Sequence, residues 1–184
     1  MKLVVIACNT LTVLGVDTLK GSHAFEIVGM SKGAQLVLAA SSRKKIGVFA
    51  TEFTINSGAH KAAILAADDG ADVYPQACPK FVPLIEGEQF DGAEVRAAVA
   101  EYAAPLKAAG IDTLILSCTH YPFIQKEIER EFGSEVTVID PADATAQDTK
   151  TVLAAEGLLR SEGAGSLEVC FTADVERGAR IAGR

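Results

Sequence analysis

An α/β architecture with mostly parallel strands is predicted by three features of this 184-residue chain. Short runs rich in Val, Ile and Leu alternate with segments of helical periodicity almost from end to end. Two of these runs finish alike, in a cysteine, two polar residues and a helix-compatible segment. They are Leu3-Val4-Val5-Ile6-Ala7-Cys8-Asn9-Thr10 and Leu114-Ile115-Leu116-Ser117-Cys118-Thr119-His120. With 49% hydrophobic residues the chain can bury a core as one large domain or two small ones.

Taken in order, residues 3–8 read as a strand and 10–19 as a short helix carrying Leu11, Leu14 and Thr18 inward, ended by Gly21-Ser22. Residues 25–30 form a second strand, closed by Gly29. A helix over 32–40, a strand over 46–50, a helix over 57–67 and a strand over 72–77 follow, before the Cys78-Pro79 break. From Phe90-Asp91 a long helix places Val95, Ala98, Val99, Tyr102, Leu106 and Ala109 on one face, with Pro105 as a kink or restart and Gly110 as its end. Residues 112–117 are a short apolar run suited to a buried parallel strand. Pro122 then opens a helix with Ile124, Ile128 and Phe132 on one side. A strand over 136–139 follows, and Asp140 caps a helix that starts at Pro141 and runs towards Leu159. Beyond a Gly- and Ser-rich loop, 167–171 reads as a strand and a last helix begins near Val175.

The net charge of −7 and the lack of a basic stripe argue against nucleic acid as a partner. The cluster Ser41-Ser42-Arg43-Lys44-Lys45 reads as a solvated loop. No apolar run approaches the roughly 20 residues that span a bilayer, which argues against a membrane partner. The start Met1-Lys2-Leu3 runs straight into a strand pattern without a signal-peptide cleavage site, so a cytoplasmic protein is expected. The four cysteines form no Cys-x-x-Cys pair and are scattered relative to zinc-ligand spacing. Free thiols and no metal are therefore expected.

A lone cysteine is most often a small buried hydrophobe, and Cys78 and Cys170 are read that way. Cys8 and Cys118 differ because each ends a strand and precedes a helix, at the sheet edge where open α/β proteins bind ligands. A helix N-terminus lowers a thiol's pKa and makes it a base or nucleophile. His120 sits two residues past Cys118, where it can accept or hold a proton. Asn9, Thr10 and Thr119 offer an amide and hydroxyls beside free backbone N–H groups, a seat for a carboxylate. Thr51 and Thr54 follow another strand end, where ordinary helix capping is an equally good account. Glu86 ends the apolar run from Phe81 to Ile85, either as a surface acid or as the group that orients His120.

Four blocks together closely resemble the glutamate racemase family. They are Val5-Ile6-Ala7-Cys8-Asn9-Thr10, Ala50-Thr51-x-x-Thr54-x-x-Ser57-Gly58, the stretch from Cys78-Pro79-Lys80 to Glu86, and Leu116-Ser117-Cys118-Thr119-His120-Tyr121-Pro122. Order and spacing match, and the resemblance covers essentially the whole chain. It implies a cofactor-independent racemase of the aspartate/glutamate racemase superfamily, interconverting L- and D-glutamate, the latter for peptidoglycan. By matching motif positions, Cys8 and Cys118 would flank the substrate α-carbon as alternating base and acid, with His120 and Glu86 assisting Cys118. Asn9, Thr10, Thr51, Thr54 and Thr119 would hold the substrate's charged groups. A proton exchange with inversion does require two acid/base groups on opposite faces, and cysteine can serve as either.

The resemblance also implies two α/β lobes, residues 1–30 plus 141–184 around Cys8 and residues 31–140 around Cys118. The family's opening strand ending in Asp-Ser-Gly, and a later Tyr-Gly pair, have no counterpart here. This chain is therefore expected to be a shortened member whose first lobe is incomplete, with activity reduced or absent. An open strand edge predicts a homodimer or aggregation. Smaller departures are Leu11-Thr12, Glu52 and Ser117. Rival expectations are an aspartate or related racemase, a non-catalytic remnant that binds an amino acid or a protein, and a thiol redox protein.

Overall fold

The computed structural model describes residues 1–183 and contains two parallel sheets. β1 (Leu3–Ile6) and β2 (Glu26–Gly29) pair in register from Leu3 with Glu26 to Ile6 with Gly29, joined by α1 (Asn9–Leu19). After α2 (Ala34–Ala40) come β3 (Lys45–Ala50), β4 (Asp72–Ala77), β5 (Thr113–Ser117) and β6 (Thr137–Ile139). These make one sheet in the order β4-β3-β5-β6.

Parallel neighbours need crossovers, and helices supply them. α3 (Glu52–Asn56) and α4 (Ala59–Ala67) link β3 to β4, and α5 (Phe81–Glu86) and α6 (Ala93–Ala109) link β4 to β5. A 3₁₀ turn (Tyr121–Ile124) and α7 (Gln125–Phe132) link β5 to β6. α8 (Ala142–Ala155) and α9 (Val175–Ala182) are the last elements among the described residues. The predicted α/β class and parallel pairing are both present.

The period of two along a strand divides the core. Leu114 and Leu116 of β5 join Phe49, Phe81, Tyr102, Tyr121 and Ile128 on one face of the larger sheet. Ile115 joins Val37, Ile46, Val48 and Ile64 on the other. β5 is buried along its whole length, as expected of a central parallel strand covered on both faces. Phe81 anchors the first cluster, edge-on to Tyr102 at 5.2 Å and to Tyr121 at 5.1 Å between ring centroids. Burial of one such ring contributes about 1.5–3 kcal/mol.

Several local expectations change. α1 turns Asn9 and Val16 inward and leaves Leu11 55% and Leu14 58% exposed, with Thr18 exposed too. The periodicity allowed either face, and the small sheet offers cover for only one. The helix expected over 57–67 is present as α4, which starts at Ala59 because Gly58 caps it with a left-handed φ of +67°, and the short α3 ahead of it was not expected. α6 runs unbroken through Pro105. Residues 167–171 form no strand, with Leu167 89% exposed, since no neighbouring edge receives them. Cys170 is exposed rather than packed. The loop at Ser41 is an anchor as well as a solvated turn. Asp112 accepts from the Ser41 hydroxyl at 2.6 Å, the Ser42 hydroxyl at 3.2 Å and the Arg43 N–H at 2.6 Å. Burial pushes the Asp112 carboxyl up, but these donors outweigh it and hold it below its usual range.

Candidate active site

The carboxyl ends of β1, β3 and β5 carry the residues singled out in the sequence. Cys8 follows β1 as the N-cap of α1, with extended backbone at φ −147° and ψ 120°, and its carbonyl accepts from the Thr12 N–H at 2.9 Å. Thr12 in turn accepts from the Met30 N–H at 2.9 Å, which ties the start of α1 to the end of β2.

Thr51 occupies the N-cap of α3, yet its side chain makes no capping bond. Its hydroxyl meets Thr10 Oγ1 at 2.9 Å and Thr54 Oγ1 at 3.0 Å, and Thr10 also meets Thr54 at 3.2 Å. Each hydroxyl brings one proton, so three contacts use all three donors. This threonine ring joins the helix after β1 to the helix after β3. Ordinary capping does not account for it.

Cys118 leaves β5 and is 8% exposed. Its Sγ is 4.0 Å from His120 Nδ1, and His120 Nε2 is 2.8 Å from Glu86 Oε1. The three groups form a line from α5 to the end of β5, with Glu86 in hydrogen-bonding distance of His120. A carboxylate on Nε2 favours the tautomer protonated there, which turns the Nδ1 lone pair towards the sulfur.

The expectation of a thiol acidified by a helix start fails at Cys118. Burial pushes the thiol up, backbone donation from His120 and Tyr121 counters this only in part, and the nearby Cys8 pushes it further. The segment that follows is a four-residue 3₁₀ turn, too short for a strong dipole. Ala7 and Thr119, the residues next to Cys8 and Cys118, line one cleft.

Thr119 lies apart from the threonine ring. It lines a cleft of about 450 Å³ with Val5, Ala7, Met30, Ala142 and Thr145, so the ends of β1 and β5 look onto one space. Asn9 is 3% exposed, and neither its Nδ2 nor its Oδ1 finds a partner within the protein. The Ser117 hydroxyl is likewise buried and unpaired. Cys78 is buried, and desolvation pushes its thiol far above the ordinary range, so it serves packing.

One neighbour was not legible in the sequence. Arg177 Nη2 of α9 lies 3.7 Å from Glu86 Oε2, the oxygen that His120 leaves free. Nothing local marks this arginine, because its partner lies in a distant helix. Among the described residues no group of three or more His, Cys, Asp or Glu is placed to hold a metal ion, and no helix is long and apolar enough to cross a membrane.

The family model described as Asp/Glu/Hydantoin racemase matches residues 1–149. A glutamate racemase of Lysinibacillus sphaericus is 41% identical over 160 residues, which are 86% of this chain and 60% of that protein. Among solved structures, the glutamate racemase isoform RacE1 from Bacillus anthracis superposes with a TM-score of 0.81 at 34% identity, covering 88% of this chain and 61% of that one. The glutamate racemase from Francisella tularensis, solved in complex with D-glutamate, gives 0.79 at 30% identity over 89% of this chain and 61% of its own. The chain thus spans about 60% of the length of the curated relatives it matches.

Proposed function

This chain belongs to the Asp/Glu/hydantoin racemase family, and we propose that it interconverts L- and D-glutamate by proton transfer between Cys8 and Cys118, without a cofactor. The observation that carries the reading is the Glu86–His120–Cys118 line at the end of β5, which borders the same cleft as the end of β1 that leads into Cys8. One thiolate takes the α-proton, and the electron pair of the broken C–H bond moves onto the α-carbon and its carboxylate. The opposite thiol gives its proton to the other face and becomes the thiolate. The two cysteines end with their roles exchanged, ready for the opposite enantiomer.

Burial favours the protonated form of Cys118, so it rests as the acid. As base it passes its proton to His120 Nδ1, and Glu86 stabilises the imidazolium. The free N–H groups at the start of α1, with Asn9 and the threonine ring of Thr10, Thr51 and Thr54, receive the substrate's charged groups. Thr119 borders the cleft from the β5 side.

The lobes would be residues 1–30 plus 141–184 and residues 31–140, with the site between them. D-Glutamate would serve peptidoglycan synthesis in the cytoplasm. A homodimer would cover the outer face of α1 and the open edge of β1. That same uncovered surface, with Val5, Leu11 and Leu14 exposed beside Cys8, favours a second reading, in which the chain binds the amino acid without turning it over. Circular dichroism of D- or L-glutamate solutions decides between them. Steady loss of rotation, abolished by Cys8→Ser and by Cys118→Ser, supports the racemase; unchanging rotation supports the second reading.

A further inference from the structure

We infer that Arg177 is a positioning residue for the proposed proton transfer, holding Glu86 so that the Glu86–His120 pair faces Cys118. The inference rests on the racemase reading above. Glu86 closes α5 with its side chain 42% exposed, and His120 grips only one of its oxygens, Oε1 at 2.8 Å. A single contact leaves a long acidic side chain free to swing about its torsions. The second oxygen, Oε2, faces Arg177 Nη2 at 3.7 Å, so the carboxylate is held from two sides.

Arg177 is itself oriented. Its Nε lies 3.2 Å from Asp174 Oδ2, and its backbone N–H donates to Asp174 Oδ1 at 3.4 Å. Asp174 is the N-cap of α9 and sits at φ +46°, a conformation that aspartate tolerates better than most side chains. α9 buries none of its residues. It is seated by charge, through Arg177 on Glu86 and through Arg180, which forks onto Glu88 at 2.6 and 3.1 Å. A guanidinium suits this task because it meets two carboxylates from one planar group. With Glu86 fixed, His120 donates from Nε2 and keeps Nδ1 directed at the Cys118 sulfur.

The test compares the native chain with Arg177→Gln and Arg177→Lys. Two readouts are taken: kcat and KM for glutamate racemisation, and the ¹⁵N resonances of the His120 ring. Arg177→Gln is expected to lower kcat about threefold to fivefold, to leave KM within about twofold and to move the His120 resonances. Arg177→Lys should restore most of both. Far-ultraviolet circular dichroism confirms that the variants fold. An Arg177→Gln protein with native kcat and native His120 signals, or one altered in KM alone, overturns the inference. If the native chain racemises no glutamate, the racemase reading fails by itself. The His120 resonances then still decide, because resonances indifferent to Arg177→Gln remove its hold on the pair.

Discussion

The two cysteine-bearing strands share a local pattern and differ in what surrounds them. β5 has β3 on one side and β6 on the other, with an apolar cluster against each face. β1 has β2 alone, and Val5 on it is exposed. Cys118 is accordingly buried, with its thiol raised, while Cys8 is half-exposed at the head of a helix whose outer leucines meet solvent. The same strand–cysteine–polar sequence thus yields a sheltered group in one unit and an accessible group in the other. Tertiary cover, more than the residues beside the sulfur, sets the difference.

If both sulfurs exchange protons with substrate, the contrast in shelter should not become a contrast in need. Cys118→Ser and Cys8→Ser should each reduce racemisation by about 10²–10⁴-fold, followed by circular dichroism of either enantiomer. A large loss from one variant only would break the pairing of the two units.

Stability should separate them instead. Leu114→Ala removes a fully buried side chain from the larger unit and is expected to cost about 2–5 kcal/mol. Val5→Ala on the open strand should cost less than about 1 kcal/mol. Urea unfolding midpoints measure both.

Acid should act on the larger unit as well. His60 of α4 is buried with neither ring nitrogen partnered, and burial, aided by Lys32, lowers it to about 4. Its folded value lies below its unfolded value near 6.5, so the unfolded chain binds the proton more readily. Stability should fall as the pH drops from about 6.5 towards 4 and then level, a loss of roughly 3 kcal/mol in all. His60→Phe should flatten that part of the pH–stability curve. The smallest effect is expected at the uncovered helix face. Leu14→Gln should change stability by no more than about 0.5 kcal/mol while reducing self-association in sedimentation velocity.

Much of this was legible beforehand. β4 matches its expected bounds, and Ile124, Ile128 and Phe132 line one buried face, because a continuous apolar run or a three-to-four spacing leaves little choice. Of the two alternatives for Glu86, a surface acid or a partner of His120, the structure shows features of both, since the side chain is 42% exposed and lies 2.8 Å from His120 Nε2. What periodicity could not supply was which face finds cover. Leu11 and Leu14 were as good an inner stripe as Asn9 and Val16 until the neighbouring sheet proved to have only two strands. Residues 167–171 have strand composition but no edge to join. The raised Cys118 thiol depends on a core assembled from distant segments, and the threonine ring and Arg177 depend on contacts between helices far apart in sequence. No window of residues contains them.

Asn9 carries a consequence for the resting protein. Its carboxamide is buried and neither its donor nor its acceptor bonds to another protein group, and a polar group left unmet in that way typically costs about 1–3 kcal/mol. A visitor that presents a matching carboxylate or ammonium would relieve that penalty on arrival. Its heat stabilisation of the chain should then exceed what so small a molecule's contact area suggests. The same amide would discriminate between visitors by which of them can meet its donor and its acceptor together.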